Sequence, residues 1–238
     1  MTTGSRIIET FLDIRQVSKS YSVADGRDDI LRGISLTVAR AERVALIGAS
    51  GCGKSTLLNV VAGIDNTDSG SIVLAGTELT ALSEKQRTLL RRQHIGFIYQ
   101  SFNLIQTLTA IENIQLPLQL NGYPLRDTID QAMVMLERVG LIDRADAFPD
   151  QLSGGEQQRI AIARALVHSP SLVLADEHTG NLDSTTGRQV MDLFNELAES
   201  TGQTVLMVTH SRAVAETADR VMQIINGRIE SSDANRTW

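Results

Sequence analysis

Proline, cysteine and aromatic residues are scarce in this 238-residue chain, which has four prolines, one cysteine, one tryptophan, three tyrosines and five phenylalanines. With Cys52 as its single cysteine, it can close no internal disulfide, which suits a reducing compartment. No apolar run approaches the ~20 residues a helix needs to cross a bilayer, so any work at a membrane requires another chain to do the crossing. An excess of positive charge is also missing: the formal net charge is −6, which argues against a broad nucleic-acid surface. The start, Met1-Thr2-Thr3-Gly4-Ser5-Arg6, lacks the charged end, apolar centre and small-residue cleavage site of a secretory signal. A cytoplasmic location is therefore expected. The length suffices for one α/β domain, with or without an insertion.

What is present centres on Gly48-Ala49-Ser50-Gly51-Cys52-Gly53-Lys54-Ser55-Thr56. The apolar run Val44-Ala45-Leu46-Ile47 precedes it and the helical pattern Leu57-Leu58-Asn59-Val60-Val61 follows. Glycine, four residues, then Gly-Lys-Ser between a strand and a helix is the P-loop pattern. Its backbone N–H groups and the positive helix end face a phosphate. Lys54 is expected to neutralise β and γ oxygens of a nucleotide, and the Ser55 hydroxyl to ligate magnesium.

Before this loop, Phe11 to Thr37 alternates apolar and polar residues, which predicts half-buried antiparallel strands with a turn over Ala24-Asp25-Gly26-Arg27-Asp28. Tyr21 stands in a polar stretch there. In a chain this poor in aromatics it is either a ring packed on the sheet rim or a platform for a base, worth roughly 1 to 3 kcal/mol. After the P-loop helix come a turn cluster at Asp65-Asn66-Thr67-Asp68-Ser69-Gly70, a strand at Ser71-Ile72-Val73-Leu74 and a capped basic helix from Ser83-Glu84-Lys85-Gln86. The short strand Ile95-Gly96-Phe97-Ile98-Tyr99 then ends at Gln100. A strand end in an open parallel sheet faces the ligand crevice, so this amide can reach a metal or a water, although a solvated loop residue reads the same way.

Strand signals disappear between Ser101 and about Arg164. Thr109-Ala110-Ile111-Glu112 is a capping box, and Pro117 is expected to kink or end the helix it opens. Ile129, Met133, Leu136 and Val139 recur at helical spacing before Gly140. Ser153-Gly154-Gly155-Glu156-Gln157 opens a further helix, in which Ser153 and Glu156 can cap each other. The two glycines clear the helix tip, offering a second phosphate-binding surface.

The apolar run Leu172-Val173-Leu174-Ala175 ends in Asp176-Glu177, where one carboxylate can hold magnesium and the other orient and deprotonate water. Asp183 can cap the helix that carries Val190, Leu193, Phe194 and Leu197, and capping alone explains it. His210, at the end of Thr204-Val205-Leu206-Met207-Val208, can contact a γ-phosphate or be merely structural. A hairpin turning at Asn226-Gly227 is expected near the end.

Taken together these motifs resemble the nucleotide-binding subunit of ATP-binding cassette transporters over nearly the whole chain. Lys54-Ser55 match Walker A, Gln100 the Q-loop, Ser153 to Gln157 the family signature, Asp176-Glu177 Walker B with its catalytic glutamate, Asn181-Leu182-Asp183 the D-loop, His210 the H-loop and Tyr21 the adenine-stacking aromatic. The resemblance implies an α/β fold with a P-loop NTPase (RecA-like) core formed by residues 1–100 and 165–238. It adds an N-terminal antiparallel β subdomain and an inserted α-helical subdomain at 101–164. It also implies ATP and Mg2+ as ligands, with Ser55, Gln100 and Asp176 at the metal and Glu177, His210 and Gln100 in catalysis. The nucleotide would lie between P-loop residues Gly48 to Thr56 of one chain and the Ser153, Gly154 and Gly155 helix end of a second copy, with Tyr21, Glu156 and Asp183 also among the nucleotide-binding residues. Membrane-spanning permease subunits are the expected partners, the inner membrane's cytoplasmic face the expected place, and nucleic acid is not expected.

The segments around Gln86 and from Ile95 to Leu104 are most similar to the group serving lipoprotein release and macrolide export. A small-solute importer ATPase and a cell-division type regulator are the alternatives. Three positions depart from the family pattern: His178 replaces a usual proline, Ala41 a turn glycine, and Cys52 a serine. Losing the fixed φ of proline at 178 is expected to loosen the placement of Glu177.

Overall fold

The computed structural model of the chain describes residues 9–23, 26–177 and 182–230. The alternating N-terminal segment forms β1 (Thr10–Val23) and β2 (Gly26–Ala39), paired antiparallel. Gly26, Arg27 and Asp28, expected in the turn, belong to β2 and pair with Val23, Ser22 and Tyr21. Ala24 and Asp25 lie outside the described residues. After β3 (Arg43–Ile47) and α1 (Lys54–Val61), the chain returns through β4 (Ser69–Leu74) and the short β5 (Thr77–Glu78). A four-stranded sheet in the order β2-β1-β4-β5 results.

Helix α2 (Glu84–His94) opens on the expected Ser83–Gln86 capping box and leads into β6 (Ile95–Ile98). Three helices follow before the next strand: α3 (Ala110–Leu120), α4 (Leu125–Arg138) and α5 (Gly154–Leu166). Pro117 does not end α3, which continues to Leu120. Its missing N–H costs only the bond to the Asn113 carbonyl four residues back, and its own carbonyl accepts from the Asn121 side chain at 2.9 Å. Of the apolar stripe expected over α4, Leu136 and Val139 are buried. Thr128, Ala132, Met135 and Leu136 face inward, whereas Ile129 and Met133 are 40% and 36% exposed.

The rest of the chain alternates β7 (Leu172–Asp176), α6 (Ser184–Thr201), β8 (Thr204–Thr209), the unanticipated short α7 (Arg212–Ala215), β9 (Arg220–Ile225) and β10 (Arg228–Glu230). Strands β9 and β10 form the expected hairpin, with Asn226 and Gly227 both at positive φ. The second sheet runs β10-β9-β3-β8-β7-β6, and all its pairings except β9–β10 are parallel.

Its central strands are buried on both faces, which is why they read as continuous apolar runs. Val44, Leu46, Leu172, Leu174, Leu206 and Val208 pack with α1 and the antiparallel sheet. Ala45, Val173, Ala175, Val205 and Met207 face the opposite way, onto α3 to α6. No helix among the described residues is long and apolar enough to cross a membrane.

The turn from β2 to β3 holds Ala41 at φ 59°, its N–H donating to Thr204 Oγ1 at 3.0 Å. An L residue there is strained by roughly 1–2 kcal/mol, and glycine gives part of that back through its freer unfolded chain. Ala41→Gly is expected to stabilise the protein by about 1 kcal/mol, a melting shift of about 2–4 °C, measurable by calorimetry.

Candidate functional site

Parallel pairing brings the chemistry to one edge of the second sheet. Ile47, the last residue of β3, pairs with Thr209; Asp176 pairs with Val208, and Ile98 with Ala175. The P-loop, Asp176-Glu177, His210 and Gln100 therefore all leave the sheet on the side where an open α/β fold binds ligands.

The P-loop turns back beneath Ile47 because Gly48 has no side chain. A Cβ there would lie 2.6 Å from both the Ile224 carbonyl oxygen and Cys52 Sγ. Cys52 is half-buried and points inward against the antiparallel-sheet core. Gly53, at φ 102°, caps α1, and Leu57 N–H donates to its carbonyl at 2.9 Å. Lys54 is 6% exposed. Its ammonium donates to the carbonyls of Gly48 (2.9 Å) and Ala49 (3.1 Å) and lies 3.4 Å from Glu177 Oε1.

Ser55 Oγ donates to Asp176 Oδ1 at 3.1 Å. Burial pushes the Asp176 carboxyl above its ordinary range, reinforced by Glu177 and opposed by Ser55 and Lys54. A hydroxyl and a carboxylate side by side at a P-loop are hard oxygen donors of the kind Mg2+ takes together with substrate phosphates. A carboxyl that is harder to ionise in the folded protein than in the unfolded one costs stability at pH above both values, and that cost vanishes as pH falls below the unfolded value. Asp176→Asn is accordingly expected to raise the melting temperature of the nucleotide-free protein at pH 8. The advantage over the parent should shrink as pH is lowered through the carboxylate range in a pH series of melts.

Glu177 lies between Lys54 and His210, with Oε2 3.0 Å from His210 Nδ1. Its backbone N–H donates to the Val208 carbonyl at 3.0 Å, and its φ is +39°. A non-glycine residue held in that region is strained, and such strain concentrates where side-chain direction matters. Neighbouring His178 lies outside the described residues, as do Thr179, Gly180 and Asn181.

The second candidate surface is separate. Ser153 Oγ accepts from Glu156 N–H at 3.3 Å, while Glu156 Oε2 accepts from the Ser153 N–H (2.8 Å) and hydroxyl (2.7 Å). Those bonds, with Arg144 close by, hold the Glu156 carboxyl below its usual range. The glycines differ in their reasons. A Cβ on Gly155 would lie 2.5 Å from the Thr186 methyl, whereas one on Gly154 meets nothing closer than Leu182 at 3.4 Å. Asp183 caps α6, accepting from Thr185 and Thr186 N–H at 3.0 Å each. A cavity of about 430 Å³ beside Ser153 and Gly155 is flanked by Arg138 and Arg159. Among the described residues no hydrogen bond or ion pair joins this surface to Lys54, Asp176, Glu177 or His210.

Tyr21 is 40% exposed near the tip of β1. Gln100 is exposed just beyond β6, and the chain after it takes a left-handed course at Phe102 and Asn103. Both of their carbonyls accept from the guanidinium of Arg164 on α5, at 2.9 and 2.6 Å. Sequence reasoning passed over Arg164; its one signal was a lone cation among Ile160, Ala161, Ile162, Ala163, Ala165 and Leu166.

The family profile described as ABC transporter matches residues 31–180. An uncharacterized ABC transporter ATP-binding protein of Mycobacterium tuberculosis is 46% identical over 221 residues, covering 93% of this chain and 89% of the relative. The lipoprotein-releasing system ATP-binding protein LolD of Legionella pneumophila is 44% identical, covering 93% and 97%. YbbA of Escherichia coli, an uncharacterized ABC transporter ATP-binding protein, is 43% identical with the same coverage. Among solved structures, the dimeric post-hydrolysis form of the ATP-binding cassette MJ0796 bound to ADP and Pi superimposes with a TM-score of 0.87 at 36% identity, covering 96% of this chain and all of that one.

Proposed function

The chain belongs to the ABC transporter family as an ATP-hydrolysing cassette, and from that premise we propose that it drives a membrane-spanning permease of the lipoprotein-release kind. Two copies would face each other with ATP held by the P-loop of one and by the Ser153–Gly155 helix tip of the other. The observation that carries this reading is the meeting of Lys54, Ser55, Asp176, Glu177 and His210 at one sheet edge, while the capped tip of α5 stands unjoined to them. A second phosphate-binding surface that is not joined to its own P-loop has a use if it serves a neighbour's.

In this reading Lys54 exchanges the Gly48 and Ala49 carbonyls for phosphate oxygens, which releases Glu177 from its ion pair. Glu177 then takes the proton of the attacking water, and His210 fixes the direction of that carboxylate. Mg2+, held through Ser55 and Asp176 with Gln100 nearby, would neutralise charge on the β and γ oxygens. Residues 101–164, including the exposed Leu120, Tyr123 and Leu125, would receive the permease on the cytoplasmic side of the inner membrane.

The test is phosphate release by the purified chain, alone and reconstituted with permeases of the lipoprotein-release type. Turnover changed severalfold by one permease, together with co-purification, is the expected result. Unaltered turnover and no co-purification with any of them would remove the transport assignment while leaving the ATPase intact.

A further inference from the structure

A base and a triphosphate are joined at fixed length, so a ring that stacks on the base must stand at a fixed offset from the P-loop. The structure shows how that offset is kept. The loop after α1 is tied to the helix, because Ile64 and Asp65 N–H groups both donate to the Asn59 carbonyl at 2.9 and 3.2 Å. From that loop two carboxylates reach back to the tip of β1. Asp65 Oδ2 accepts from the Tyr21 hydroxyl at 2.7 Å, and Oδ1 accepts from Lys19 Nζ at 2.8 Å and Asn66 N–H at 2.7 Å. Asp68 Oδ2 accepts from Ser20 N–H (2.9 Å), Ser20 Oγ (2.6 Å) and Arg27.

Lys19 Nζ also lies 5.0 Å from the centroid of the Tyr21 ring. Each of Lys19, Ser20 and Tyr21 is thus fastened to the loop leaving the P-loop helix, where an exposed tyrosine would otherwise swing among rotamers. Burial raises the Asp65 carboxyl, but the bonds from Lys19, Tyr21 and Asn66 outweigh it and keep the group below the usual carboxylate range. Its bond to the phenol is therefore charge-assisted, the stronger kind.

We propose that Asp65 is a positioning residue for nucleotide binding, which sets the Tyr21 ring for the adenine by holding its hydroxyl at a fixed offset from α1. This rests on the reading that Tyr21 stacks on the base.

Steady-state ATP hydrolysis separates the two ideas, with inorganic tripolyphosphate as a competitive inhibitor that has no base to stack. Asp65→Ala is expected to raise KM for ATP roughly 3- to 10-fold, the scale of ordering one side chain on binding. kcat at saturation should stay within about twofold, and the tripolyphosphate inhibition constant should not move. Tyr21→Phe, which leaves the bonds of Asp65 to Lys19 and Asn66 in place, should reproduce the effect, and the double variant should be no worse than either single one. Asp65→Asn, which still accepts from the phenol, should recover most of the loss.

An unchanged KM in Tyr21→Phe or Asp65→Ala, with Tyr21→Ala still raising it, overturns the role of Asp65 and leaves stacking intact. An unchanged KM in Tyr21→Ala overturns both. A tripolyphosphate constant that rises in step with KM makes Asp65 a support of the P-loop as a whole and overturns the positioning role. Tyr21→Phe carries the test where Asp65→Ala does not fold.

Discussion

Glu177→Gln is expected to bind ATP as well as the parent chain while hydrolysing it at least ~10²-fold more slowly, the usual cost of losing a general base. The substitution is nearly isosteric, so an amide oxygen can still face Lys54 and an amide group can still meet His210, whose Nδ1 is 3.0 Å from the carboxylate. What disappears is the ability to take a proton. The P-loop contacts of Lys54 with Gly48 and Ala49 do not involve Glu177, and neither does the Ser55–Asp176 pair. Nucleotide affinity should therefore survive. Phosphate release under saturating ATP, paired with equilibrium binding of a fluorescent ATP analogue, reads both quantities on one preparation. Turnover within tenfold of the parent would take the base role away from Glu177 and shift attention to His210. The strained φ of +39° at Glu177 points the same way: the backbone is held in a costly conformation at the residue whose direction the reaction needs.

Much of this site was legible because its signals are local. A capping box spans four residues, and Ser83, Thr109 and Ser153 each form the box that their sequences announce. The P-loop likewise carries its meaning in its own glycines and lysine. Signals that depend on tertiary partners were not legible. Asp65 and Asp68 read as ordinary turn residues, since nothing near them in sequence reveals that β1 lies alongside and presents Tyr21 and Ser20. Helix α4 has apolar residues around much of its circumference, so periodicity found the helix but only part of its inner face, Leu136 and Val139; Thr128 and Ala132 are fully buried while Val134 is 58% exposed. Pro117 misled for a related reason. Proline removes only its own N–H, and so the bond to the Asn113 carbonyl four residues back, and the helix goes on for just three residues beyond it.

Gly154→Glu, placed in the Glu177→Gln background, is expected to stay monomeric with ATP under conditions in which Glu177→Gln alone becomes a dimer. The choice of glycine follows from the space around each. A side chain at Gly155 would collide with Thr186, so its effects would mix folding with function, whereas at Gly154 the nearest atoms are at ordinary contact distance. Position 154 is the first residue of α5, where a carboxylate is favoured by the helix dipole by roughly 0.3–1 kcal/mol and where replacing glycine gains up to about 1 kcal/mol of helix propensity. The variant should thus fold at least as well as its parent, with the Ser153–Glu156 cap intact. Its new charge would nevertheless stand at the helix tip that a partner's triphosphate must approach, turning attraction into repulsion. Gly154→Ala is the matched control and should dimerise normally. ATP affinity at the chain's own P-loop should be the same in all three, because among the described residues no hydrogen bond or ion pair joins the P-loop to the tip of α5. Light scattering coupled to size-exclusion, with and without ATP, distinguishes the outcomes. A Gly154→Glu chain that dimerises like its parent would mean that the tip of α5 is not where a second copy's nucleotide docks, and the two-copy sandwich would have to be abandoned for a site completed within one chain.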